Sequence, residues 1–257
     1  MVRRISVFIY GVIAYVIFFA TFLYAIGFVG NVFVPTSIDG VAKGPLGAAL
    51  LIDTLLLGLF AVQHSVMARP AFKRWWTRFV PEPVERSTYV LFSSLALIAL
   101  FALWQPIGGV VWDIQSPIGR GIAYALFAFG WLLVLVSTFL INHFDLFGLR
   151  QVWFYLRGVE YKPLAFVTPG PYKHVRHPLY VGWLFAFWAA PTMTAAHLVF
   201  AVATTAYILV AIQLEERDLV GFHGRRYAEY RRRVPMLIPN PFRKGATATA
   251  AAASEST

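Results

Sequence analysis

Long apolar runs, broken only by small or weakly polar residues, dominate the chain. Runs over residues 5–29, 46–66, 89–104 and 118–141 each approach the roughly 20 residues that cross about 30 Å of hydrocarbon at 1.5 Å per residue. Each predicts a transmembrane helix. The first run follows Arg3 and Arg4, as a signal peptide would. It exceeds the roughly 7–15 residues of an h-region, and no small-residue cleavage site follows, so it is read as a retained helix. The last run, residues 179–214, is long enough for two short crossings, and Pro191-Thr192-Met193-Thr194 breaks it midway. That break predicts a helical hairpin. The expected fold is an all-α, polytopic membrane bundle of five or six helices with a cytoplasmic C-terminal cap.

Composition agrees with this pattern. Hydrophobic residues make up 59% of the 257 positions and charged residues 13%, where a soluble domain carries about 25% charged residues. The mean hydropathy is +0.65. The formal net charge of +10 is distributed asymmetrically. Arg3 and Arg4, then Arg69, Lys73, Arg74, Arg78 and Arg86, then Arg150 to Arg176, then Arg217 to Lys244 all fall in alternate connections. The intervening connections hold only Lys43 after the first run and no basic residue over 105–117 or at the hairpin turn. By the positive-inside rule the N-terminus, the 67–88 loop, the 142–178 segment and the C-terminus face the cytoplasm, placing the chain in the cell (inner) membrane. The charge thus reads as a topology signal and an attraction to anionic lipid, not as a nucleic-acid footprint. Trp75-Trp76 beside Lys73, Arg74 and Arg78 reads as a short interfacial amphipathic helix. Residues 1–244 read as one membrane domain, and the Ala/Thr/Ser-rich tail 245–257 as disordered. The absence of cysteine excludes disulfides, zinc ribbons and cysteine nucleophiles.

Polar residues gather at the basic end of several runs. The second run ends in Gln63-His64-Ser65, the fourth in Asn142-His143 with Asp145 beyond, and the third opens on Arg86-Ser87-Thr88-Tyr89. His174, Arg176 and His177 precede the hairpin and Glu215-Glu216 follow it. Ionisable groups at membrane depth are costly and are commonly functional or paired. Their convergence at one membrane level predicts a site at the cytoplasmic mouth. Asp53, among leucines, is read as paired inside the bundle, and His197, on the far side, carries no assigned role. His174-x-x-His177 has helical ligand spacing, but Pro178 and the Pro169-Gly170-Pro171 turn make the segment irregular, and no metal is expected. Phosphate-cradling glycine loops and a GxSxG elbow are absent from the sequence.

The stretch Thr168-Pro169-Gly170-Pro171-Tyr172-Lys173-His174-Val175-Arg176-His177-Pro178-Leu179-Tyr180-Val181-Gly182 leads to Glu215-Glu216, Gly224, Tyr227, Tyr230 and Val234-Pro235. This order and spacing resembles the C-terminal signature of the isoprenylcysteine carboxyl methyltransferase and phospholipid methyltransferase superfamily, here spanning residues 168–239. Gln63-His64-Ser65, Glu85-Arg86-Ser87-Thr88-Tyr89 and Asn142-His143-Phe144-Asp145-Leu146-Phe147-Gly148 resemble the bacterial methanethiol S-methyltransferase branch. The resemblance implies methylation of a small volatile thiol, methanethiol, to dimethyl sulfide. The donor would be S-adenosylmethionine, leaving S-adenosylhomocysteine. It also implies a donor site on Gly170, Tyr172, His174, Arg176, His177, Pro178, Tyr180, Glu215 and Glu216. Two alternatives stand beside it: another acceptor, such as a prenylcysteine carboxylate or a lipid, and a non-catalytic membrane partner.

Those residue types suit the chemistry. Methyl transfer from a sulfonium is an in-line displacement, so alignment is the chief requirement. Aromatic faces and carboxylates favour the sulfonium charge. An alkyl thiol attacks as thiolate, which calls for a base or a positive field. His64 and His143 are the candidate bases, with Asn142 and Tyr89 positioning the acceptor. The sequence does not choose between the two histidines.

Overall fold

A computed structural model describes residues 1–239; the tail over 245–257 lies outside the described residues. Five helices are long and apolar enough to span a membrane: α1 (Val2–Gly30), α2 (Leu46–Ala68), α4 (Glu82–Leu103), α5 (Pro117–Ile141) and α9 (Ala195–His223). Between them lie the short α3 (Pro70–Trp76), α6 (His143–Leu146), α7 (Leu149–Arg157) and α8 (Pro178–Trp188), and α10 (Arg225–Arg233) closes the described chain. The hairpin is therefore uneven. At about 1.5 Å per residue the 11 residues of α8 reach only halfway across the hydrocarbon, whereas α9 crosses fully. The bundle has five spans and one half-span, within the expected range.

Local chemistry sets the helix ends. Ser116 caps α5 by accepting from the Gly119 amide, and Pro117 takes the first position, where its missing N–H costs nothing. Pro70 likewise ends α2 and opens α3. Asn31 and Asn142 close α1 and α5 in the left-handed region, at φ 57° and 96°, a conformation asparagine tolerates. Glu82 and Glu85 sit in the first turn of α4, where the helix dipole favours negative charge.

The sequence pattern missed one element. Val110–Asp113 (β1) pairs antiparallel with Thr192–Thr194 (β2) at the hairpin turn, forming a ribbon across the end of the bundle opposite the charged loops. His197 belongs to that end. It is 1% exposed, with Nε2 2.9 Å from the Phe187 carbonyl and Nδ1 3.7 Å from Asp39. Asp53 is fully buried and accepts the Gln105 amide at 2.9 Å, so its partner in the bundle is backbone rather than a cation.

Exposed Ile9, Ile13, Val16, Leu51, Leu55, Leu59, Ile122 and Leu132 make the outer surface apolar, as lipid contact requires. The inner surface packs Phe28, Leu100, Phe101, Trp104, Trp131 and Phe200 into one core. α5 and α8 approach closest, and glycine is the reason. A Cβ on Gly130 would stand 2.5 Å from the Ala186 amide, and one on Gly182 would stand 2.8 Å from both the Gly130 carbonyl and the Val134 amide. Small residues let membrane helices meet backbone to backbone. Here the contact fixes α8, and with it Tyr180, against the long spans. Because the obstructing atoms are backbone and cannot yield, Gly182→Val is expected to cost about 3 kcal/mol or more, read as a lower Tm in detergent. Leu184→Met, a volume-conserving change nearby, leaves Tm within a few degrees.

Candidate active site

Glu216 is the centre of the C-terminal assembly. Its side chain is 3% exposed, and its Oε1 accepts from Arg176 Nε at 2.6 Å and lies 3.0 Å from His177 Nε2. Oε2 pairs with Arg231 Nε at 3.1 Å. Arg176 also donates to the carbonyls of Arg231 and Val234, and the amides of Arg176 and His177 donate to the carbonyls of Pro235 and Met236. Tyr230 donates to the Tyr172 carbonyl at 2.6 Å. Four separate stretches, the 172–177 turn, α9, α10 and the 234–236 segment, thus converge on one carboxylate. Pro178 opens α8 at its first turn, and Gly170 begins the preceding 3₁₀ turn (Gly170–Lys173) at φ +51°, which glycine adopts without strain.

Glu215 faces elsewhere, because adjacent positions on a helix differ by about 100°. Its Oε2 accepts from Tyr180 at 2.9 Å. Among the described residues no Lys, Arg or His lies within ion-pair distance of it. Tyr172, Tyr227, Tyr89 and Tyr207 all lie within its electrostatic reach. Burial, then the Glu215 and Tyr230 charges, push the Tyr172 phenol above its ordinary range. Burial and the two glutamates do the same to Tyr227, so both hydroxyls stay neutral at physiological pH. The Tyr227 hydroxyl is buried without a hydrogen-bond partner. An unpaired carboxylate ringed by phenols, beside an orphaned hydroxyl, is a cradle suited to an organic cation with hydrogen-bonding groups. His174 is exposed and contributes only its backbone to the turn.

His64 and Tyr89 open into the same region. The Tyr89 hydroxyl lies 2.9 Å from His64 Nε2 and 3.0 Å from Nδ1, and Ser93 Oγ lies 3.1 Å from Nδ1. Phe60 stacks on the imidazole, and the Arg86 guanidinium sits 5.1 Å over the Tyr89 ring. Ser65 meets the Tyr207 hydroxyl at 3.1 Å, and Arg69 pairs with Asp218 at 2.7 Å, joining α2 to α9. Tyr89, Tyr180, Tyr207 and Glu215 share one electrostatic neighbourhood.

His143 and Asn142 are held differently. His143 is 3% exposed, its Nε2 2.9 Å from the Tyr15 hydroxyl and its Nδ1 2.8 Å from Thr138 Oγ1. Its ring stacks on Phe139 at 4.2 Å. Asn142 spends its Oδ1 capping α6 through the Asp145 amide, and it lines a separate polar cavity of about 340 Å³ with Lys73, Glu85, Arg86, Asp145 and Gln151. Only Arg86 joins that cavity to the His64–Tyr89 pair. Sequence reasoning passed over Ser93, Tyr207, Arg231 and the Arg69–Asp218 pair. Tyr207 was hidden inside an apolar run, and no spacing marks it.

Comparison with known proteins decides the family. The chain is 62% identical to the methanethiol S-methyltransferase of Crocosphaera subtropica over 92% of each chain. It is 53% identical to that of Mycobacterium tuberculosis over 94% of this chain and 99% of the relative. The chain belongs to the methanethiol S-methyltransferase family. Residues 119–224 also match the phospholipid methyltransferase family, and rat nurim is 33% identical over 67% of this chain. No solved structure matches the chain. The chain is therefore a membrane methyltransferase, and the family match covers both the Glu215–Glu216 assembly and the His64–Tyr89 pair.

Two outcomes are expected. Removing the Glu216 carboxylate leaves the largely buried Arg176 guanidinium unpaired, which costs about 3–5 kcal/mol, or roughly 10 °C in Tm for a chain of this size. Glu216→Ala is expected to show that loss by thermal melting, and Glu215→Ala a loss several times smaller. Burial holds the His143 imidazole below its ordinary pKa, so the unfolded chain takes up a proton there before the folded one does. Folded-state stability therefore falls as pH drops below about 6.5. His143→Gln, which keeps a hydrogen-bonding side chain, is expected to make the Tm decline between pH 7 and pH 5 shallower.

Proposed function

We propose that the chain transfers a methyl group from S-adenosylmethionine to the sulfur of methanethiol, forming dimethyl sulfide and S-adenosylhomocysteine. The observation that carries this reading is the Glu215 carboxylate, which among the described residues has Tyr180 as its one hydrogen-bond partner and no cation, and has further phenols within electrostatic reach. The names of its relatives supply the acceptor. When bound, S-adenosylmethionine supplies an electrophilic methyl group on a sulfonium sulfur. Glu215, Tyr180 and Tyr172 hold that positive centre, and the orphaned Tyr227 hydroxyl offers a further hydrogen bond. Arg176, His177 and Glu216 position this cradle from beneath rather than lining it, because they are spent on one another.

At the acceptor end, the thiol gives its proton to the Tyr89 oxygen as Tyr89 passes its own to His64 Nε2, 2.9 Å away. The thiolate sulfur then takes the methyl group as the carbon–sulfonium bond breaks. The Arg86 guanidinium over the Tyr89 ring stabilises the negative charge that develops there. His64 is the base in this reading because it contacts Tyr89, which lies within electrostatic reach of Glu215, whereas His143 contacts Tyr15 and Thr138. The basic loops lie at the site end, and their excess of Lys and Arg supports a cytoplasmic site in the cell membrane.

A positioned base contributes about 10²–10⁴ to rate. Headspace assay of dimethyl sulfide at saturating donor is expected to show His64→Gln losing roughly a hundredfold or more in kcat/KM. Tyr89→Phe should lose at least tenfold. His143→Gln should stay within about threefold of wild type. Equal losses in folded His64→Gln and His143→Gln proteins would overturn the assignment of the base, and no dimethyl sulfide from wild type would overturn the acceptor.

A further inference from the structure

Tyr207 has no place in the signature motifs, yet it contacts Ser65 and Phe60 beside His64 and lies within electrostatic reach of Glu215. On α9, residues 207, 211 and 215 recur every four positions and share one helix face. That face presents a phenol, a methyl group and the Glu215 carboxylate in turn. Tyr207 lies within electrostatic reach of Tyr89, Tyr180 and Glu215. Its hydroxyl is held at 3.1 Å by Ser65, next to His64. Its ring meets the edge of Phe60 at 6.2 Å, and Phe60 in turn stacks on His64 at 5.1 Å. The Tyr89 ring also packs on His64, tilted, at 5.1 Å. The imidazole is therefore in contact with both Phe60 and Tyr89, with Tyr207 beside it. Between Tyr207 and Glu215 on that face stands the small Ala211.

We propose that Tyr207, braced by Phe60 and Ser65, is a specificity-determining residue whose ring limits the acceptor to the smallest alkyl thiols. This rests on the reading that places the thiol between His64 and Glu215. An aromatic ring across that space leaves room for one carbon on sulfur but obstructs a longer chain. The small Ala211 between Tyr207 and Glu215 spares the in-line path toward the cradle. The ring acts by its volume, and the Ser65 hydrogen bond fixes its rotamer. The device excludes larger cellular thiols without any polar recognition of the acceptor, which a one-carbon thiol scarcely offers.

The experiment compares methanethiol with n-butanethiol as acceptors for detergent-purified wild type, Tyr207→Ala, Tyr207→Leu and Tyr207→Phe. S-adenosylhomocysteine binding by calorimetry is measured on each protein to report an intact donor half. A methylene in an apolar pocket commonly decides discrimination by tenfold or more. The butanethiol-to-methanethiol ratio of kcat/KM is therefore expected to rise at least tenfold in Tyr207→Ala and Tyr207→Leu. The gain should fall on KM for butanethiol. Tyr207→Phe, which keeps the ring, should stay within about twofold of the wild-type ratio. A ratio unchanged in both truncated variants, with S-adenosylhomocysteine still bound, overturns the proposal. A tenfold shift in Tyr207→Phe assigns the effect to the hydroxyl and overturns it equally. Wild type that binds S-adenosylhomocysteine but methylates neither thiol removes the acceptor reading on which the proposal stands, an outcome distinct from an active wild type with an unmoved ratio.

Discussion

A single buried carboxylate, that of Glu216, holds the functional end of this protein together. Two arginines and a histidine close on it from two directions: Arg176 and His177 from the turn before α8, and Arg231 from α10. Breaking such a group costs more than forming it returns, because the largely buried Arg176 guanidinium is left charged and poorly solvated. The interaction is thus better understood as a specifier of arrangement than as a store of stability. It determines that the turn carrying Tyr172, the half-span carrying Tyr180 and the helix carrying Tyr227 all face the same side of α9. Without that arrangement, Glu215 would be an ordinary acidic residue at a membrane surface.

The neighbouring carboxylate shows how one helical step separates structure from chemistry. Glu216 is taken up by two arginines and a histidine; Glu215 has a phenol for a partner and more phenols around it. A carboxylate without a cationic partner among the described residues is left free for a ligand, and a low local dielectric strengthens what it does bind. The α5–α8 glycine contact serves the same end by another means, since it sets the depth at which Tyr180 sits. The two histidines divide in the same way. His64 lies beside the hydroxyls of Tyr89 and Ser93, and His143 ties α1 to the end of α5 through Tyr15 and Thr138.

Much of the architecture was legible because lipid imposes simple rules. The runs over 5–29, 46–66 and 118–141 declared themselves by length and apolarity, and the break at Pro191 marked the hairpin turn. The half-length of α8 was not legible, because a continuous apolar run does not reveal where its first helix is anchored. The β1–β2 ribbon was invisible too: four residues around Trp112 carry no alternation strong enough to announce pairing with a segment some eighty positions away. At the site, the signature stretch identified the right neighbourhood, but not which member of each pair does which work. The Glu215–Glu216 division depends on which way α9 is rotated. The His64–His143 division depends on hydroxyls contributed by Tyr15, Thr138 and Ser93, all distant in sequence or unremarkable in type. Tyr207 was unreadable for a related reason, since a tyrosine in a membrane run is ordinarily just an interfacial or packing residue.

The most direct measurement is the affinity of the purified protein for S-adenosylmethionine relative to S-adenosylhomocysteine, determined by calorimetry for wild type and for Glu215→Gln. The two ligands differ by the methyl group and the sulfonium charge it creates. If Glu215 faces that charge, wild type binds the sulfonium form more favourably relative to its neutral product than the variant does. Removing the carboxylate charge should lower the ratio by roughly tenfold, as expected for about 1.4 kcal/mol, while S-adenosylhomocysteine binding persists. An unchanged ratio in a variant that still binds S-adenosylhomocysteine would contradict the account, because the carboxylate would then lie away from the reacting sulfur.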